Sequence, residues 1–295
     1  MDACSTQPVM GQTRTAENDS MASRNSPFTW VDWLLLLATA GLSVHLAATL
    51  LDPAIHAWRN RPRPGMQVSQ QYLVEQRDGG EVAKSFINCL LYLPPAYDAS
   101  RKWPLVVFLH GAGARGDDLN LVRRGGLPGQ VERGKKFDFI LFSPQCPKTF
   151  GWTPELVVSL TERISSSLSV DRDRVYLTGY SMGGNGTWAT ACYDPHRFAA
   201  IAPLAGQGDV EQAEQLKMPV WAFHGAKDRT IPLADSQTMV DAIQKCRGTV
   251  QFTIYPDLGH GISDITYQNP KFFEWLLAQR RKQPPPGTIQ PAPSH

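Results

Sequence analysis

Paired-cysteine motifs, a strong net charge and internal repeats are all missing from this chain. Its five cysteines, at positions 4, 89, 146, 192 and 246, stand singly, so no zinc ribbon or CxxC redox pair can be drawn. An odd count leaves at least one thiol unpaired within a monomer, and cysteine usage does not assign a compartment. The 29 Lys and Arg nearly cancel the 27 Asp and Glu, leaving a net charge of +2. That is too small a field to expect nucleic acid or a strongly acidic partner. With 42% hydrophobic and 19% charged residues the composition is that of an ordinary globular protein. At 295 residues there is enough chain to bury a sizeable core, as one large domain or two small ones.

The two ends differ from the middle. Residues 1–29 are rich in Ser, Thr, Asn and Gln, lack apolar periodicity, and are expected to be disordered. Residues 30–51 follow as an apolar run, with no Asp, Glu, Lys or Arg from Trp33 to Leu51. That is about the length needed to cross a bilayer. Trp30, Trp33 and Trp58 lie near its ends, where interfacial aromatics belong. The run is read as a signal anchor or signal peptide helix that brings the chain to a membrane. Its polar residues, Thr39, Ser43, His45 and Thr49, make it only moderately hydrophobic. The side is ambiguous. Arg59, Arg61 and Arg63 behind the run favour a cytoplasmic domain, whereas an apolar segment ahead of one catalytic-type domain favours export, the reading preferred here. Residues 52–65 form a stiff Pro/Arg linker, and 284–295 a Pro-rich tail expected to be disordered.

Between them, residues 66–283 alternate strand-like and helix-like runs, the pattern of a mostly parallel sheet with helices on both faces. Expected strands cover 70–76, 86–92, 105–109, 139–143, a run from 175, 199–204, 220–223 and 250–255. Expected helices cover 154–169, 184–193, 233–245 and 272–282. One stretch organises the rest: an apolar strand from Val175, then Gly179-Tyr-Ser-Met-Gly183, then helix-forming residues. G-x-S-x-G at a strand-to-helix turn exposes a serine hydroxyl on a strained backbone, with glycines where side chains would clash. Ser181 is the candidate nucleophile.

A serine hydroxyl needs a base, and the base needs an orienting acid. Of seven histidines, His45, His56 and His295 lie in the apolar run, beside the linker and in the tail. His196 reads as a solvent-facing helix end, and His110 and His224 as turn residues before glycines. His260, in the loop Asp257-Leu-Gly-His-Gly261 after the last strand, is the candidate base. Asp228, in His224-Gly-Ala-Lys-Asp228, lies just past a strand's carboxyl end, where catalytic groups gather in open parallel sheets. Asp209 and Asp235 are weaker rivals, in a loop and a helix. Asp257 and Asp264 flank His260 without being placed to orient it. Two N–H donors must also meet the developing oxyanion. Met182, after the serine, and Ala112, in His110-Gly-Ala-Gly-Ala-Arg-Gly116, are the candidates. Trp152 either lines the substrate pocket or packs its loop onto the core, and Arg115, Asp117 and Asp118 are read as loop-fixing.

From about Tyr92 to Arg280 the chain resembles the α/β-hydrolase superfamily, in its small carboxylesterase, feruloyl-esterase-like and dienelactone-hydrolase-like branch. The matching residues are Phe108-Leu-His-Gly-Ala-Gly-Ala-Arg-Gly-Asp-Asp118, Ser143-Pro-Gln-Cys-Pro147 with Trp152, Gly179–Gly184, His224–Asp228 and Gly259-His260. The resemblance implies a Ser181–Asp228–His260 triad, in the family's Ser–acid–His order. It also implies hydrolysis of carboxylic esters without metal or organic cofactor; it does not name the substrate, which is expected to be a small-molecule or polymer-borne ester. Dienelactone hydrolases proper use a cysteine nucleophile, so Ser181 argues against that activity. Two alternatives remain. A serine peptidase of prolyl-oligopeptidase type is weakened because the chain is too short for an added propeller. A membrane-tethered binding domain without catalysis is weakened because no triad member is missing. The connection 205–219 is short, leaving little room for a lid and suggesting an open cleft.

Overall fold

The computed structural model describes residues 61–78, 81–149 and 151–281. The expected disordered segment (1–29), the apolar helix (30–51), the start of the linker (52–60) and the tail (284–295) lie outside the described residues. No helix among the described residues is long and apolar enough to cross a membrane.

Eight strands form one sheet in the order β1-β2-β4-β3-β5-β6-β7-β8 among the described residues. β1 (Gln67–Asp78) and β2 (Glu81–Tyr92) pair antiparallel, with Asp78 opposite Glu81. β2 pairs antiparallel with β4 (Ile140–Pro144), and from there the sheet is parallel. β3 (Trp103–Leu109) and β6 (Ala200–Leu204) are buried at every residue. Unbroken apolar runs such as Leu105-Val-Val-Phe-Leu109 are what a parallel strand covered on both faces requires. β5 (Val170–Tyr180) lies between β3 and β6, placing the serine turn mid-sheet. β7 (Val220–Gly225) and β8 (Val250–Tyr255) complete the row.

Alternate side chains along β3 enter opposite cores. Leu105, Val107 and Leu109 pack with α3 (Pro154–Ser167), α4 (Met182–Tyr193) and α5 (Leu233–Lys245). Val106 and Phe108 face Leu127 and Val131 of α2 (Gly126–Glu132), and Tyr267 and Phe272 of α6 (Ser263–Gln268) and α7 (Pro270–Ala278). A short α1 (Leu119–Arg123) is capped by Asp118, which accepts the Asn120 N–H at 3.0 Å.

The structure corrects three boundaries. β5 begins at Val170, five residues before the apolar run, because Asp171 and Asp173 pair with Arg280 and Arg281 and carry a charged strand segment. For the same reason the last helix stops at Ala278 instead of reaching position 282. Arg281 turns away and donates its N–H to Asp173 O at 2.8 Å. The end of the expected linker belongs to the domain, since Pro64 bridges Leu93 and the Gly65 N–H donates to Leu93 O at 2.8 Å.

Candidate active site

Ser181 leaves β5 at φ 59°, ψ −120° and caps α4. For a non-glycine residue that conformation costs on the order of 1–3 kcal/mol, so the surroundings must enforce it. They do. The Ser181 N–H donates to Leu204 O at 2.9 Å, and Ser181 O accepts the Asn185 N–H at 3.0 Å. A Cβ on Gly179 would strike Gly183 O, and one on Gly183 would strike Leu109 O. The motif's glycines therefore let three backbone segments touch.

The candidate acid and base come from the loops after β7 and β8. The Ser181 hydroxyl donates to His260 Nε2 at 2.8 Å, and His260 Nδ1–H donates to Asp228 Oδ2 at 2.7 Å, with tautomers assigned from these partners. Asp228 Oδ1 accepts the N–H groups of Thr230 (2.8 Å) and Ile231 (3.0 Å). Burial pushes the Asp228 carboxyl up, but the bonds from His260, Ile231 and Thr230 outweigh it and hold the group below its ordinary value. The acid is thus fixed as a carboxylate. The two loops are joined by the Lys227 N–H donating to Leu258 O at 2.9 Å. The Tyr180 ring lies 5.0 Å from the His260 ring, its hydroxyl pushed up to about 12, first by burial and then by the Asp228 charge.

Ala112 and Met182 are the first residues of a 3-10 turn (Ala112–Ala114) and of α4. N–H groups at such positions have no acceptor within their own turn. Gly111 brings the loop against the serine, since its Cβ would lie 3.4 Å from Tyr180 O and 3.5 Å from Ser181 Cβ. The loop after β4 fastens this segment from behind. Gln145 Nε2 donates to Ala114 O and Asp118 O, both at 2.9 Å, and the Gly116 N–H donates to Cys146 O at 2.9 Å. His110 accepts the Cys146 N–H at Nε2 (2.9 Å) and donates from Nδ1 to Gly111 O (2.7 Å). Burial lowers its pKa to about 4, so the ring is neutral. Trp152 is 7% exposed, its Nε1–H donates to His110 O at 3.0 Å, and its ring packs on His110. Of its two expected roles, the contacts favour holding the loop over lining a pocket.

The rival residues are engaged elsewhere. Asp209 caps the 3-10 segment Val210–Gln215, Asp257 pairs with Lys227 at 2.9 Å, and Asp264 lies 3.8 Å from Arg133. His196 is exposed. Among the described residues no three His, Cys, Asp or Glu side chains are grouped to hold a metal. A cavity of about 960 Å³ opens one turn beyond Ser181, walled by Asn185, Gln207, Asp209, Asp235 and Thr238 among others, and is lined by none of Ser181, Asp228 and His260. The residue missed in the sequence is His224. Read as a turn residue, it is completely buried, with Nε2 3.3 Å from Asp228 Oδ2. Its spacing of four residues ahead of Asp228 at the end of a strand was the available signal.

A mostly parallel eight-stranded sheet with a serine turn after its fifth strand, an acid after the seventh and a histidine after the eighth is the α/β-hydrolase fold. Residues 156–268 match the dienelactone hydrolase family. An *Escherichia coli* protein, provisionally named a carboxymethylenebutenolidase, is 25% identical over 200 residues, covering 57% of this chain and 73% of its own. A *Salmonella typhimurium* protein of the same provisional name reaches 31% identity over 103 residues, which is 32% of this chain and only 38% of that relative. Feruloyl esterase C of *Emericella nidulans* is 25% identical over 198 residues, covering 64% of this chain and 70% of that protein. The crystal structure of a thermostable esterase superposes with a TM-score of 0.58 at 30% identity, over 72% of this chain and 63% of that one.

Proposed function

We propose that the protein hydrolyses carboxylic esters through an acyl-enzyme on Ser181. The observation that carries the reading is the unbroken line Ser181 Oγ–His260 Nε2 (2.8 Å), His260 Nδ1–Asp228 Oδ2 (2.7 Å), with Ser181 held at φ 59°. The names of the relatives support ester hydrolysis as the general chemistry. In this mechanism His260 takes the hydroxyl proton as Ser181 Oγ attacks the ester carbonyl. The N–H groups of Met182 and Ala112 receive the oxyanion. His260 then protonates the departing alcohol, and afterwards activates the water that releases the acid. Asp228 holds the imidazole and balances its charge. Small or polymer-borne esters suit the short connection 205–219 better than a sequestered lipid chain, and preferential hydrolysis of long-chain triglycerides would reject that choice.

The test is labelling with a fluorophosphonate and turnover of p-nitrophenyl acetate and methyl ferulate. Ser181 should be labelled and Ser181→Ala should lose both labelling and turnover while remaining folded. Absence of labelling in the folded wild-type chain rejects the reading. We further propose, from composition, that residues 30–51 bring the chain to a membrane. In cell fractions the full chain should then sediment with membranes, and full recovery in the soluble fraction would reject targeting by a retained anchor.

A further inference from the structure

Asp228 is held at both carboxylate oxygens. Oδ1 takes two backbone N–H groups, and Oδ2 takes His260 Nδ1–H and faces His224 Nε2 at 3.3 Å. Nothing in the proposed chemistry calls for that second histidine, which is completely buried at the end of β7. Its Nε2 also lies 2.9 Å from Ile231 O. Both neighbours of Nε2 are oxygens that accept, so this nitrogen carries a proton and donates to the acid's own turn. On the other side of the ring, Nδ1 lies 2.7 Å from Ser236 Oγ, which lies 2.7 Å from Gly206 O. Gly206 in turn packs on the backbone of Gly184, in the first turn of α4, where its Cβ would lie 2.6 Å from Gly184 C. A continuous chain of contacts thus runs from His260 through Asp228, His224, Ser236 and Gly206 to the helix that carries Ser181.

We infer that His224 is a positioning residue of the active site: it donates to Ile231 O in the turn whose N–H groups hold Asp228, stands against Asp228 Oδ2, and, through Ser236 and Gly206, keeps the acid in register with the serine turn. This rests on the hydrolase reading above. A carboxylate held by backbone N–H groups keeps its χ2 angle only while the turn that carries those groups keeps its shape. Pinning Ile231 O from a buried ring fixes the turn whose N–H groups hold Oδ1, and with it the oxygen that receives His260 Nδ1–H. Positional errors near 1 Å cost about a hundredfold in rate, so a group that fixes an oxygen without touching substrate can govern turnover. A purely structural histidine would alter stability alone.

The experiment compares the wild-type chain with His224→Phe, His224→Gln and Ser236→Ala, each checked for native circular dichroism. With p-nitrophenyl acetate, His224→Phe should lower kcat by about ten- to a hundredfold with KM changed less than about twofold. Fluorophosphonate labelling of Ser181 should slow in proportion. His224→Gln, whose amide can still donate to Ile231 O, should recover most of the rate, and Ser236→Ala should fall between. In an Asp228→Asn background His224→Phe should add little, because its effect acts through that carboxylate. Wild-type kcat in folded His224→Phe, or an undiminished loss in the Asp228→Asn background, overturns the inference while leaving the hydrolase reading intact. If His224→Phe does not fold, the Ser236→Ala and His224→Gln rates decide, and two wild-type values reject it. Should the wild-type chain prove inactive, the low-field proton resonance of His260 Nδ1–H is read instead. It should shift or vanish in these variants, and an unchanged resonance rejects the positioning role.

Discussion

Asp228 and Trp152 show how much a single side chain's partners reveal. With Oδ1 on two backbone N–H groups and Oδ2 on His260, Asp228 sets the imidazole's orientation and tautomer as well as its charge. Asp228→Asn preserves the shape but presents the wrong donor, and steady-state assays should show kcat reduced by about 10⁴. Trp152→Phe keeps most of the ring and removes the donor to His110 O. It should cost about 1–3 kcal/mol, which thermal denaturation will show as a lowered Tm. KM for short esters should stay unchanged, and a raised KM with an unaltered Tm would instead make Trp152 a pocket wall.

At the scale of the element, α4 is made for contact more than for helix propensity. Gly183, Gly184 and Gly186 crowd its first turns, each a residue that disfavours a helix. Their lack of side chains lets the helix start against the ends of β3 and β6. Gly183→Ala would drive a methyl group into the Leu109 carbonyl, a backbone atom that cannot step aside. Denaturant unfolding should register a loss of about 3 kcal/mol or more, or no soluble protein at all. Gly151→Ala meets nothing within 4 Å and should change stability by less than about 0.5 kcal/mol. This contrast separates a glycine needed for approach from one that merely occupies a loop.

The whole molecule responds to pH through His110. Its folded pKa is about 4 against an ordinary 6.5, so between those values the unfolded chain binds the proton that the folded chain refuses. Stability is therefore fully present above about 6.5 and declines as pH falls towards 4, by about 3 kcal/mol in total for this group. Asp228, held below its ordinary 3.8, adds a loss of the same sign at lower pH. Urea midpoints measured from pH 7.5 to 4.5 should fall steadily. In His110→Asn that slope should flatten, and an unchanged slope would mean His110 is not the group responsible.

Periodicity and turn chemistry carry a great deal of this protein. Unbroken apolar runs could only be strands covered on both faces, so the parallel sheet and its helices followed from residues such as Leu105–Leu109 and Ala200–Leu204. The order of Ser181, Asp228 and His260 at strand ends could be read because each sits where a chain must leave the sheet and turn. Charged segments were less legible. β5 starts at Val170 because Asp171 and Asp173 meet Arg280 and Arg281, residues 109 and 108 positions away respectively. His224 and Trp152 were ambiguous for the same reason. Burial and hydrogen-bond partners arise only when distant segments meet, and the four-residue spacing ahead of Asp228 does not by itself distinguish a turn histidine from one closed in behind a carboxylate. By itself the sequence determined which elements form and which residues reach the ends of the strands. Tertiary packing decided which of them touch, since side-chain roles depend on distances between chain segments that folding alone brings together.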